Sequence, residues 1–306
     1  MNLPVKLPED WKGSVNTALT RATGYQLTKA EGAHAQRRRR RRRKASSDRL
    51  VESPAFILST LRSGSTLLRV LLNSHSQIHA PQELHLRAVD VRLKNKWAVR
   101  AMKEIRLDNE KLEYLLWDRI LHRELSNSGK RQLVNKTPSD VFIADRIKEC
   151  WPDSQFIFLL RHPAAIVRSR QNLRPKSKDS VETILRYGEA LERARQHHTG
   201  LTVRYEDVTN NPEAQTRRIC DFLDLQWEPG MTDYGQHNHG RYKAGLGDWA
   251  GKIKTGQVQP AQPPPPAHEI PAELRPLCMA WGYMAADGGN LPAAQNALGQ
   301  VQPTSG

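Results

Sequence analysis

The sequence predicts an α/β fold, a central parallel sheet flanked by helices. Two short runs, Phe56-Ile57-Leu58 and Phe156-Ile157-Phe158-Leu159-Leu160, are continuously apolar and read as strands buried on both faces. Each is followed at once by a segment with helical apolar spacing. Strands alternating with helices need crossover connections, and crossovers make neighbouring strands parallel.

The elements follow in order. The first strand ends in Ser59-Thr60-Leu61-Arg62-Ser63-Gly64-Ser65-Thr66, a small, hydroxyl-rich turn. A helix then carries Leu67, Leu68, Leu71 and Leu72 on one face. Asn73 to Glu83 is polar, contains Pro81, and reads as a loop. Residues 84 to 125 read as helical and strongly basic, with Leu112, Leu115, Leu116, Ile120 and Leu121 facing the core. Gln132 to Asn135 is a strand running into a loop at Lys136-Thr137-Pro138, and Ser139 or Asp140 suits the cap of the next helix. Trp151-Pro152-Asp153 breaks that helix. The strand ending at Leu160 leads into Arg161-His162-Pro163, with the proline suited to a first helical turn. A long amphipathic helix carries Val181, Ile184, Leu185, Gly188 and Leu191. Leu201 to Asp207 reads as a strand with a polar end, Asn211-Pro212 opens a helix through Phe222, and a last helix runs from Ala272 to Tyr283.

A chain of 306 residues suits one large domain or two small ones. The expected division is a disordered basic arm at 1–48, a folded domain at 49–287 and a disordered tail at 288–306. Arg37 to Arg43 with Lys44 supply eight adjacent positive charges, which repel and resist packing. Removing those eight from the formal +15 leaves +7, a moderately basic domain suited to a polyanionic small ligand. The arm reads as a solvated tail, with contact to a nucleic acid or an acidic membrane as the alternative. Cys150, Cys220 and Cys278 are widely spaced and lack metal-ligand spacing. They point to buried thiols in a reducing cytoplasm. No apolar run reaches transmembrane length, and the start of the chain has no secretory signal pattern.

Function concentrates at the strand ends. In a parallel sheet, ligands sit beyond the carboxyl ends of the strands. Arg62 to Thr66, Asn135-Lys136 and Arg161 all fall there, and Tyr205-Glu206-Asp207 ends a fourth strand as a brace for the loops. Three cations directed at one edge suit a ligand with several negative charges. At Ser63 to Thr66 a helix N-terminus offers free amides to an anion, unless Ser63 or Ser65 merely caps it. The loop lacks the lysine of a G-x-x-x-x-G-K-[ST] motif, and no G-x-G-x-x-G is present. ATP hydrolysis and dinucleotide binding therefore lose their usual signatures.

Arg62-Ser63-Gly64-Ser65-Thr66 after a strand resembles the 5′-phosphosulfate loop of the sulfotransferases, which use 3′-phosphoadenosine 5′-phosphosulfate (PAPS) as donor. Arg161-His162-Pro163, with Ser169 eight residues after the arginine, resembles their 3′-phosphate motif. Arg241-Tyr242-Lys243-Ala244-Gly245 and Gly247-Asp248-Trp249 are similar to the family's late glycine-rich segment, with Tyr242 separating the two cations. An arginine before Ser-Gly, the Asn73-Ser74-His75 turn, Glu83 placed 21 residues after Arg62, and Asn135-Lys136 resemble the tyrosylprotein and carbohydrate branch.

The resemblance implies a P-loop-like sulfotransferase fold, of the kind found in bacterial family members. It also implies a PAPS-dependent enzyme, with PAPS as co-substrate and no metal. Arg62 and the Ser63, Gly64, Ser65 and Thr66 loop would hold the 5′-phosphate, and Arg161 with Ser169 the 3′-phosphate. Arg241 and Lys243 would close over the nucleotide. Lys136 would stabilise charge at the sulfuryl group. Glu83 would act as general base on an acceptor hydroxyl, with His75, His79, His85 and His162 as competing bases. The acceptor would be a small molecule or glycan: a sugar, a lipid, a natural product or a phenol. Two alternatives stand beside this reading: a nucleotide-dependent phosphotransferase, and a nucleic-acid-binding protein acting through the arginine-rich arm.

Overall fold

The computed structural model describes residues 49–173, 180–239, 252–285 and 289. The arm, the tail beyond Gly289, Arg241 and Lys243 lie outside the described residues.

Five strands form one parallel sheet: β1 (Ala55–Ser59), β2 (Ile78–His79), β3 (Gln132–Asn135), β4 (Gln155–Leu160) and β5 (Gly200–Arg204), in the order β2-β3-β1-β4-β5. Every pairing is parallel, with Phe56 beside Asn135 on one side and Phe156 on the other. The chain runs outward from β1 to β2, returns through β3, and then crosses to β4 and β5. β1 is therefore central, and the loops after β1 and β4 leave the same edge. Crevices beyond strand ends at such a reversal are where open α/β sheets hold ligands.

Alternation along the strands builds two cores. Phe56 and Leu58 face one side with Trp117, Trp151, Phe156 and Phe158. Ala55 and Ile57 face the other with Leu68, Leu71, Val134, Ile157 and Ile219. The second core is closed by α1 (Ser65–Asn73), whose Leu67, Leu68, Val70, Leu71 and Leu72 are all buried. Both faces of the sheet are thus covered, as continuous apolar strands require.

The basic stretch after Glu83 is broken rather than continuous. A short 3₁₀ turn at Leu86–Ala88 precedes two helices, α2 (Lys96–Glu104) and α3 (Asn109–Ser128). Asn95 and Asp108 cap them, their side chains accepting from the first-turn amides. The buried stripe of α3 is Tyr114, Trp117, Asp118 and Leu121; of the expected set Leu121 is buried and Ile120 packs against the core, whereas Leu116 is exposed. The aromatic residues fill more volume, so they set the helix rotation. Asp118 is 2% exposed and accepts from Leu50 N at 2.7 Å, Val51 N at 3.1 Å and the Trp151 indole at 2.9 Å. Three donors satisfy its burial and fix the entry of the chain into the domain.

Asn73 to Glu83 contains the short edge strand β2, where only a loop was expected. A 3₁₀ turn at Pro138–Ile143 leads into α4 (Ala144–Cys150), and neither Ser139 nor Asp140 caps it. The remaining helices are α5 (Pro163–Leu173), α6 (Ser180–His197), α7 (Tyr205–Asn210), α8 (Pro212–Phe222) and α9 (Arg275–Ala280). Tyr205, Glu206 and Asp207 open α7 instead of ending a strand, because β5 stops at Arg204. The last helix is also shorter than expected, with a 3₁₀ turn at Ala272–Leu274 before it. All three cysteines are buried free thiols.

Candidate active site

The loop after β1 is held in a shape few sequences allow. Arg62 has φ 64° and Gly64 has φ 86°. Gly64 occupies the N-cap position of α1, and no side chain caps that helix among the described residues. Ser63 is fully buried and donates its hydroxyl to the Thr60 carbonyl at 2.8 Å, so it serves the turn rather than the helix. This sets the capping reading of the loop aside. Among the described residues the first amides of α1 carry no side-chain cap, and with the positive end of its dipole they suit an anion. Gly64 is required for space as well as for φ: a Cβ there would run into the Tyr205 ring.

Tyr205 also carries the second cation. The Arg161 guanidinium lies over its ring, 4.3 Å from the centroid, and Arg161 Nη1 donates to the Arg62 carbonyl at 2.7 Å. Arg161 is thereby fixed to the anion loop. Its Nε is buried without a hydrogen-bond partner among the described residues. Glu206, next to Tyr205, accepts from the His162 amide at 3.1 Å and the Tyr283 hydroxyl at 2.7 Å. The Tyr205-Glu206 pair thus braces the loops, as its position at a strand end suggests.

Arg62, Gly64, Ser65, Thr66, Arg161 and Ser169 line one cavity of about 450 Å³, together with Glu83 and His85. A space of that size suits a nucleotide-sized ligand. Sequence reasoning missed several of its walls. Asn172 lies three residues after Ser169 on α5, on the same helical face, and that spacing could have found it. Arg168 is also in the wall and donates to the Pro263 carbonyl at 2.7 Å. Gln257, Gln259 and Gln262 come from a segment with no recognisable motif.

At the far end, Glu83 faces the cavity with Lys136 behind it. Lys136 Nζ and Glu83 Oε1 are 2.5 Å apart, and their side chains are 1% and 12% exposed. Burial lowers the Lys136 ammonium below its ordinary value, and the Glu83 carboxylate opposes that shift. Lys136 is therefore presented through Glu83 rather than on the cavity wall. His85 Nε2 stands 3.4 Å from the other Glu83 oxygen.

Of the four candidate histidines, His85 alone is on the wall. His75 is buried, with Nδ1 accepting from Gln77 N, so its Nε2 donates to the Gln226 carbonyl. His79 pairs with Glu124. His162 packs against Tyr283, and burial pushes its imidazole down to about 4. Among the described residues no cluster of His, Cys, Asp and Glu has the makings of a metal site, and no helix is long and apolar enough to cross a membrane.

The chain is 24% identical over 198 residues to protein-tyrosine sulfotransferase A of Caenorhabditis elegans, covering 59% of this chain and 52% of that protein. It is 35% identical over 125 residues to nodulation protein NoeE of Sinorhizobium fredii, covering 37% of this chain and 30% of that protein. The chain thus spans about half the length, or less, of these curated relatives. In structure it is similar to the sulfotransferase domain from the curacin biosynthetic pathway, with a TM-score of 0.58 at 23% identity, covering 77% of this chain and 99% of that one. The sulfotransferase domain of the Synechococcus PCC 7002 olefin synthase gives a TM-score of 0.54 at 23% identity, covering 76% and 97%. Residues 54–229 match the model of the sulfotransferase family. That span contains the anion loop, the strand-end cations and Glu83, and the chain belongs to the sulfotransferase family.

Proposed function

We propose that this protein transfers a sulfuryl group from PAPS to an acceptor hydroxyl. The observation that carries the reading is the uncapped N-terminus of α1 opening on a cavity shared by Arg62, Arg161, Ser169 and Glu83. The residues fit such a donor. Amides at Gly64 to Thr66 and the Ser65 and Thr66 hydroxyls suit a 5′-phosphate. Arg161, with its buried Nε lacking a partner among the described residues, suits the 3′-phosphate together with Ser169. Arg62 suits the bridging oxygen between phosphorus and sulfur.

The reaction breaks the bond from sulfur to that bridging oxygen and forms one from sulfur to the acceptor oxygen. The hydroxyl proton passes to Glu83, and 3′-phosphoadenosine 5′-phosphate leaves. The chain's part is to align the groups and neutralise charge. Once Glu83 takes the proton, Lys136 loses its counter-charge and is released toward the charge developing on the leaving group. This gives Lys136 a role at the sulfuryl end even though it starts behind Glu83.

The relatives named as protein-tyrosine sulfotransferases suggest a phenolic hydroxyl, and the curacin-pathway and NoeE matches a small natural product or a glycan. Labelled donor, incubated with candidate acceptors of each class, should yield a sulfated product whose formation stops in Arg62→Ala. A protein that binds no 3′-phosphoadenosine 5′-phosphate in calorimetry and sulfates nothing would end this reading.

A further inference from the structure

Asn135 closes β3, Lys136 follows it, and Asp140 sits in the 3₁₀ turn at Pro138–Ile143, with its amide donating to the Thr137 carbonyl. The sequence offers Asp140 as a helix cap. The structure instead buries it to 1% exposure, against Asn135 and beside the Glu83–Lys136 pair. Asn135 Nδ2 donates to Asp140 Oδ2 at 2.7 Å. The other oxygens of the two residues, Asn135 Oδ1 and Asp140 Oδ1, are both buried and lack hydrogen-bond partners among the described residues.

Two orphaned acceptors on one hydrogen-bonded pair are a specific signature. A carboxylate cannot satisfy either of them, since it brings only further acceptors. A carboxylic acid brings the one missing donor, and an acid facing a primary amide pairs through N–H···O and O–H···O together. Lys136 is already paired with Glu83, so an ionised Asp140 would be a buried carboxylate with no ion-pair partner of its own among the described residues. Burial first, and then the Glu83 charge, push the Asp140 carboxyl up to about 8, against the pull of Lys136.

Resting on the function proposed above, we infer that Asp140 is a positioning residue: a neutral acid, paired with Asn135, that leaves Glu83 as the sole carboxylate partner of Lys136. While Asp140 is neutral, Lys136 stays aligned on the base at the cavity. Once Asp140 ionises, it competes for Lys136 and repels Glu83. The other charged or titratable groups facing the cluster are Arg69 of α1, which acts on Lys136, His85, which stands beside Glu83, and Tyr187 of α6, which feels the Glu83 charge.

Two measurements on the full-length protein test this. The first is turnover against pH at saturating donor, for wild type, Asp140→Asn and Asp140→Ala. The asparagine variant mimics the neutral acid, because its amide supplies the missing donor to Asn135. Wild type should lose turnover as pH rises through about 8. In Asp140→Asn that alkaline limb should vanish, with the donor KM unchanged. In Asp140→Ala kcat should fall by about tenfold or more at every pH. The inference is overturned if the limb persists in Asp140→Asn, or if that variant is as impaired as Asp140→Ala at neutral pH, since Asp140 would then act as a carboxylate.

The second measurement needs no turnover, and its first readout needs no variant. Infrared difference spectra of the wild-type protein should show a protonated carboxyl band that disappears with a midpoint near 8. The midpoint should fall in Glu83→Gln, which removes the neighbouring charge. Absence of such a band at neutral pH overturns the inference by itself. Loss of nucleotide binding and turnover with the band intact would instead overturn the sulfotransferase reading.

Discussion

Arg161 shows how much one side chain can be asked to hold. It donates to the loop carbonyl at Arg62, covers Tyr205, and keeps one buried nitrogen without a partner among the described residues. Arg161→Ala should weaken 3′-phosphoadenosine 5′-phosphate binding by about 1.5–3 kcal/mol, the worth of a charged hydrogen bond. Calorimetry measures it directly, and unchanged affinity would remove Arg161 from the site. Glu83→Gln should leave nucleotide affinity nearly intact and lower kcat by roughly 10²–10⁴, as loss of a general base does. An unchanged kcat would promote His85, the candidate histidine on the wall. Residues such as Arg62, Glu83, Arg161 and Ser169 were legible because strand ends and family spacing mark them. Asp140 was not legible, because the charge that matters most to it, Glu83, lies 57 residues earlier in the chain. Nothing at position 140 itself distinguishes a cap from a buried acid.

Among the elements, α1 decides the site, and Gly64 decides where α1 starts. Gly64→Ala meets two obstacles: φ 86°, which costs an L-residue about 1–2 kcal/mol, and the Tyr205 ring. Relief requires Tyr205 to move, and Arg161 rests on Tyr205. Gly64→Ala should therefore lower thermal stability and nucleotide affinity together, whereas a purely local cap effect would lower stability alone. Melting curves with and without 3′-phosphoadenosine 5′-phosphate separate the two outcomes. The sequence exposed β1 and β4 because they lie inside the sheet and carry continuous apolar runs, and β3 by Leu133-Val134 running into a polar loop. β2 escaped notice since two residues at an edge leave no pattern. The start of α7 was hidden because Tyr205-Glu206-Asp207 follows β5 without a break, so the polar residues looked like a strand end rather than a first helical turn. In α3 Leu121 of the expected face is buried, but Tyr114 and Trp117 fill most of the stripe and Leu116 is left exposed.

At the scale of the whole molecule, two buried groups make stability depend on pH in opposite directions. His162 titrates near 6.5 when unfolded and near 4 when folded, so its contribution is present above 6.5 and is lost as pH falls through about 4. Asp140 titrates near 3.8 unfolded and near 8 folded, so its contribution is present below 3.8 and is lost as pH rises through about 8. Between about 4 and 6.5 the unfolded chain holds one proton more at His162 and one fewer at Asp140, and the two slopes cancel. Between 6.5 and 8 His162 no longer contributes a slope, and the Asp140 slope is about 1.4 kcal/mol per pH unit, falling as pH rises. Asp140→Asn removes it. Relative to wild type, that variant should gain stability progressively as pH is raised from about 4 to about 8. His162→Phe sacrifices no hydrogen bond found among the described residues, because neither ring nitrogen has a partner there. It should gain on wild type only as pH is lowered from about 6.5 to about 4. Urea melts of the three proteins at pH 4.5, 6.5 and 8 would read both differences. Parallel curves for wild type and Asp140→Asn across that range would mean that Asp140 is ionised in the fold. In that case the neutral acid beneath Glu83 and Lys136, and the alkaline limb it predicts, would both be withdrawn.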